Sequence, residues 1–374
     1  MMLSLLVGLA LLVMVLPLMP ALREWRRPRD VVPLKIDETD ALDPLYLAHS
    51  FAALLAEAVK VGATHMGGSG IAHMARGANG VPLLATEVAA GRTDRLWHIQ
   101  GDVQLPENMG FYAEVSASAG LHTAAHNVYR ALWAGGQATL APFCTVLRWA
   151  HGRELHVGTG CHLAGRVTAQ DTLAVEPGVF FMLLHASRID FVAQRGSLRA
   201  RGPEPVLSCV AMTDWPAGAV WSPPARRAFA RSALRIEDRR AWHGDVVCLA
   251  DLDLGAHCQA DGSLKARGDL HVGAGCHISG SVVADGAVHL AANCVVLGAV
   301  LSEVAIVVGP GCTVGAPGAP ATITAPHIEI APGVTVYGTL WAEKKGWTAE
   351  AATFIPASAA GQSSRILPAH GVLA

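Results

Sequence analysis

The sequence is poor in aromatic residues, at 6%, and poor in charge, with Asp, Glu, Lys and Arg together at 16%. So few rings suit small, regular coils better than a core built on large aromatics. Because 52% of residues are still hydrophobic, the apolar content falls to Ala, Val and Leu. A net charge of −2 gives no basic footprint and excludes bulk nucleic-acid binding. No Cys-x-x-C pair occurs among the eight cysteines, and P-loop, dinucleotide, nucleophile-elbow and H-E-x-x-H motifs are missing.

Basic residues are also absent before and within the first 22 residues, MMLSLLVGLALLVMVLPLMPAL, which carry no charge. A spanning helix needs about 20 apolar residues. Arg23, Arg26, Arg27 and Arg29 follow at once. The positive-inside rule then predicts a single-pass anchor in the inner membrane with the body in the cytoplasm, where the cysteines stay reduced. A cleaved signal peptide would want a positive region before the apolar run.

What is abundant is glycine, at 39 residues, and a repeated word. Leu270 to Ala284 reads LHVGAGCHISGSVVA, and Leu155 to Ala169 reads LHVGTGCHLAGRVTA. From Leu234 onward, coil starts fall at 234, 252, 270, 288, 306 and 328, four steps of 18 and one of 22, the last lengthened by APGAPATITAP. Within a coil, apolar residues lie two apart and recur every six: Leu270 and Val272, Cys276 and Ile278, Val282 and Ala284. The i, i+2 spacing is strand alternation, and the recurrence gives three short strands per turn. Gly244, Gly262, Gly280, Gly298 and Gly338 stand ten residues after their coil starts, which predicts tight corners with positive φ. The fold class is therefore all-β: a triangular parallel β-helix of 18-residue coils, in two modules, plus an N-terminal transmembrane helix.

Cys258, Cys276, Cys294 and Cys312 are 18 apart, with Val334 in the same place in the last coil. They read as an inward core ladder, since free Cys buries like a small hydrophobe and a linear column does not enclose a tetrahedral ion. Residues 121–192 repeat the grammar less regularly, with Cys144, Cys161 and Val179 in the ladder position.

The chain divides into an anchor (1–22), a linker and helical segment (23–96), a first, irregular module (97–200), a Pro/Trp/Arg-rich connection (201–233), a second, regular module (234–345) and a disordered tail (346–374). Asp43-Pro44 starts a helix to about Lys60 that Gly62 closes, and MGGSGIAHMARGANG reads as a flexible connection. The connection at 201–233 ends in a short amphipathic helix after Pro224, and Arg226, Arg227, Arg231, Arg235, Arg239 and Arg240 form a run that is a solvated face or one that touches anionic lipid or an acidic partner.

Chemistry falls to histidine, with 17 copies. His271 and His289 stand one coil apart, and His156 takes the equivalent place in the first module. Such residues ligate zinc or act as a base, but repetition alone also produces outward ladders, and no carboxylate is seen to orient them. No catalytic, metal or cofactor site is assigned.

The phrase LHVGAGCHISGSVVADGAVHLAANCVVLGAV resembles the bactofilins, bacterial polymer-forming cytoskeletal proteins, most clearly over 234–345. The resemblance implies a right-handed β-helix, end-to-end polymerisation without a nucleotide, and a scaffold that localises envelope-building enzymes at the membrane. Expected partners are the chain itself, the membrane through residues 1–22 and the following arginines, and envelope-building proteins. The last coil, with Ile328, Ile330, Val334 and Val336, has no evident capping helix, so it is the expected self-association surface. Two other functions fit such coils: a left-handed hexapeptide-type acyltransferase or carbonic-anhydrase-like trimer, and a membrane adaptor that does not polymerise.

Overall fold

A computed structural model describes residues 43–74, 81–192, 209–212 and 215–349, with isolated positions before residue 27. The chain divides into two compact units, Met1–Tyr46 and Leu47–Ala374. In the first, Leu16–Leu18 form a 3-10 turn, and Asp43 accepts hydrogen bonds from the backbone N–H groups of Leu45 and Tyr46.

The expected spanning helix over 1–22 falls almost wholly outside the described residues. Among those that are described, no helix is long and apolar enough to cross a membrane. The longest described helix, α1 (Tyr46–Lys60), has 15 residues. That makes about 22 Å, short of the roughly 30 Å of a bilayer core. Around Pro17 the chain takes the tighter 3-10 turn, as expected of a residue that cannot donate into a helix. The single-pass placement in the inner membrane is corrected accordingly.

The second unit is an all-β parallel solenoid. Its described strands run from β1 (His65–Met66) to β31 (Thr335–Thr348). One coil comprises β22 (Leu270–Val272), β23 (His277–Ile278) and β24 (Val282–Ala284). Each strand pairs in parallel with the strand 18 residues on: Leu270 with Val288, His277 with Val295, Val282 with Val300. Three flanks result, called first, second and third in that order. Each strand buries its end residues and turns its middle one outward, because backbone pairing to neighbouring coils leaves one side of the pleat for the core.

Gly262, Gly280 and Gly298 are needed for a reason other than the expected positive φ, which among the five corner glycines only Gly244 and Gly338 have. A Cβ on Gly280 would lie 2.5 Å from the Gly262 carbonyl carbon, and one on Gly298 2.6 Å from that of Gly280. The corners stack backbone on backbone, and a side chain has no room.

The connection does not form the expected helix. β14 (Ala219–Ser222) and β15 (Arg227–Ala230) make an antiparallel hairpin, and β15 pairs in parallel with β18 (Asp245–Cys248). Ala228 and Ala230 point into the core, an alternation that the waiting edge of β18 selects over the helical pattern. MGGSGIAHM likewise is no loop. Gly67 and Gly68, both with positive φ, turn β1 into β2 (Ser69–Met74), which joins the solenoid through β4 (Leu96–Ile99).

α1 lies along the third flank of the first module. Its Phe51 and Leu55 pack on Leu96, Ala113, Ala131 and Trp149, with the Phe51 and Trp149 ring centroids 5.2 Å apart. Burying each of the two contributes about 1.5–3 kcal/mol.

The two modules meet tail to tail. β12 (Phe180–Phe191), the last strand of the first module, pairs antiparallel with β31, the last of the second. The second module visits the flanks in the order first, second, third. In the first module's last coil, Phe180–Phe181 face the first flank of the other module, Leu183–Ala186 the third and Ile189–Asp190 the second. Advancing in opposite directions along one axis while visiting the flanks in opposite orders requires that both modules have the same hand.

Candidate functional site

The junction joins the two modules on all three flanks. On the first flank, Phe180 is in register with Trp347 and Phe181 with Gly346; on the third, Leu184 with Leu340; on the second, Ile189 with Val336. Phe191 N–H donates to the Val334 carbonyl at 2.9 Å, and Gly333 N–H to the Phe191 carbonyl at 2.6 Å. Thr335 Oγ1 donates to Asp190 Oδ1 at 2.9 Å, and Arg188 Nε lies 2.8 Å from Asp190 Oδ2. Thr348 ties the opposite side: its N–H donates to the Val179 carbonyl at 2.9 Å, and its hydroxyl accepts from Val179 N–H and donates to the Glu176 carbonyl.

The structure therefore places Ile328, Ile330, Val334 and Val336 in the middle of the solenoid, all buried. The edge of the coil that carries them is already paired with the first module, so it is not free for a second copy. Cys258, Cys276, Cys294 and Cys312 are buried in the core. Their thiols donate to carbonyls of the preceding coil, Cys276 to Gly255 at 3.1 Å and Cys294 to Gly273 at 3.2 Å. The hydrogen bond with the neighbouring sulfur, then burial, pushes Cys276 and Cys294 far above the usual thiol range, so they stay protonated.

The beginning of the second module is closed in part. β13 (Val210–Ala211) pairs with β17 (Arg240–His243) on the second flank, and β14 covers β15 on the third. Trp215 stacks on Trp221 at 5.3 Å and meets Trp242 edge-on at 6.3 Å, and Met212, Trp215 and Trp221 pack over the core opening. On the first flank, β16 (Leu234–Ile236) pairs among the described residues only with β19 (Leu252–Leu254).

His271 and His289 are in register and stack at 4.8 Å with an interplanar angle of 7°. Burial, then the charge of His271, lowers the pKa of His289. Asp253 is in register with His271, one coil earlier in the same outward column. That carboxylate escaped the sequence reading, although its spacing of 18 from His271 was there to find. Glu329 stands two coils beyond His289, its pKa raised by burial. A column does not wrap an ion, and among the described residues no group of three or more His, Cys, Asp or Glu could hold a metal. His156 lies on a different flank, in the second-flank column with Thr139 and Ala174, with Nε2 3.0 Å from Glu176 Oε1.

A second constellation went unnoticed in the sequence. Asp261 takes a hydrogen bond from Ser279 Oγ at 2.9 Å and contacts His243 Nδ1 at 2.8 Å, each again 18 residues apart. The His243 and Asp261 contact lowers the Asp261 pKa. The order is wrong for nucleophilic catalysis, because the carboxylate, not the imidazole, stands between the other two and the histidine cannot take the serine proton. Asp251 and Asp269 accept corner N–H groups of the next coil, Asp269 N–H at 2.9 Å and Ala287 N–H at 2.8 Å, and so brace the stack.

No family model, curated protein or solved structure matches the chain.

Proposed function

We propose that the protein is a bactofilin-like β-helix scaffold that works as a discrete two-module rod, not as the unit of an open filament. The observation that carries this reading is the pairing of β12 with β31 across all three flanks. A solenoid end exposes backbone donors, acceptors and open core, which must be covered or paired. Here the ends best suited to end-to-end growth satisfy one another inside one chain.

What such a rod offers is its length and its flanks. Ladders of side chains at fixed spacing suit the display of partners, which the bactofilin resemblance would make envelope-building enzymes. The edge of β16, which no strand among the described residues covers, permits limited self-association. Leu234 N–H donates to the Asp251 carbonyl of the next coil and the Ile236 carbonyl accepts from Gly255 N–H, so the backbone groups of Arg235 between them point out of the end.

Sedimentation equilibrium of the full chain, with negative-stain microscopy, tests the reading. Short rods of one mass, 39.0 kDa or a single small multiple of it, are expected. Arg235→Pro removes an edge donor and reduces any multiple to the single chain. Filaments that lengthen with protein concentration would overturn the proposal.

A further inference from the structure

The third flank is continuous through the junction, but only half of it is covered. In the first module α1 lies over Leu96, Ala131 and Trp149. The same outward column continues through Leu183 to Trp341 and then, coil by coil, through Thr324, Leu301, Val283, Lys265 and Val247. On the second module nothing among the described residues lies over it: Trp341 is 50% exposed and Leu301 36%. Around Val247, Lys265 and Val283 the surface forms an open groove of about 420 Å³, with Leu249 at its side.

Two features specify the occupant. The first is the helix on the covered half, which shows what this surface accepts: an apolar helix face laid along the coil stack. From Val247 to Trp341 is five coil steps, about 24 Å at roughly 4.8 Å per step. A helix of about 16 residues has that length. The second is charge. Lys265 and Arg267 line the groove and make no ion pair among the described residues, whereas Arg227 lies 3.4 Å from Asp245. Two cations beside an apolar floor match a helix whose flanks carry carboxylates. The recess and the presence of Asp245 in its wall disfavour a flat anionic bilayer. α1 itself is already seated and has a single carboxylate, Glu57.

We propose that the third flank of the second module is a docking groove for an acidic amphipathic helix of a partner protein. The groove is read from geometry, and its purpose rests on the scaffold reading.

The probe is a fluorescein-labelled peptide of about 16 residues with leucines at i, i+3, i+4 and i+7 and glutamates on both sides of that stripe. Its anisotropy is measured against the full chain, beside a twin peptide with lysines for glutamates. The Glu peptide should bind at least about tenfold more tightly than the Lys peptide, and added salt should narrow the gap. Lys265→Glu should reverse the preference, and Val283→Glu, outward and without a core contact to lose, should abolish binding while leaving the unfolding transition in place. Equal affinity for the two peptides, or binding of neither, would overturn the proposal. So would co-sedimentation with phosphatidylglycerol vesicles that Val283→Glu removes, since the flank would then belong to lipid. Filaments in the mass measurement would sink the scaffold reading but leave the peptide result standing.

Discussion

Gly346 faces the ring of Phe181 so closely that a Cβ on the glycine would lie 2.6 Å from Phe181 Cδ2 and nearer still to Cε2. Phe181 is fully buried and its ring has nowhere to retreat. Gly346→Ala should therefore strain the junction by about 1–3 kcal/mol, the usual cost of overpacking a closed site. Urea unfolding at neutral pH checks this. An unchanged midpoint would mean that the two modules do not close on one another as described. Phe181→Leu in the same background should recover part of the loss by withdrawing the ring edge.

Gly280 makes the same argument for the coil stack with backbone instead of a ring. Its missing Cβ would meet the Gly262 carbonyl carbon at 2.5 Å, and main chain cannot rotate away. Gly280→Ala should cost more than Gly346→Ala. Gly318→Ala, where nothing lies within 4 Å but φ is +77°, should cost only the smaller left-handed penalty, about 1–2 kcal/mol. The order of the three midpoints is the readout: Gly280→Ala should have the lowest, and the highest midpoint for Gly280→Ala would refute the stacked-corner account.

Acid should destabilise the protein through His151. It is buried beneath α1, 2.9 Å from Thr168 Oγ1, and burial, then the nearby His49, pulls its pKa down to about 4 from 6.5. The unfolded chain binds this proton below about pH 6.5 and the folded chain only below about 4, so the contribution is whole above 6.5 and is lost as pH falls toward 4. The full effect is at most about 3 kcal/mol. Stability measured from pH 7.5 to 4 should fall over that window, and His151→Gln, which keeps a partner for Thr168, should flatten the slope. A variant as acid-sensitive as the parent would assign the effect to another group.

The coil was legible in the sequence because its constraints are local and repeat: i, i+2 apolar pairs, a glycine wherever corners stack, cysteines 18 apart. The junction was not, because it is backbone pairing between segments about 155 residues apart, and backbone pairing leaves no residue-type signature. Only Gly346 hinted at it. The Pro224 to Ala230 stretch misled for a related reason: its arginines and alanines suit a helix, and only the edge of β18, supplied by the next coil, makes it a strand. The Asp253 register and the Asp261 contacts were within reach. The 18-residue offset that aligns the inward cysteines also aligns the outward polar residues, Asp253 with His271 and His243 with Asp261 and Ser279.

The cysteine ladder yields a last test. Seven of the eight thiols are buried and Cys209 alone is partly accessible. An aromatic disulfide reagent added to the native protein should react quickly with about one thiol per chain, and with the remainder only at the rate of unfolding, since burial keeps the reagent from their sulfurs. Within the ladder, Val334 and Val179 already occupy equivalent buried places, so the core accepts a branched aliphatic there. Cys276→Val should cost less than about 1.5 kcal/mol. Cys276→Asp has the same reach but puts a carboxylate where the thiol now donates to the Gly255 carbonyl, and an uncompensated buried polar group should remove most of the module's stability. Equal tolerance of valine and aspartate would place this position at the surface and undo the inward ladder.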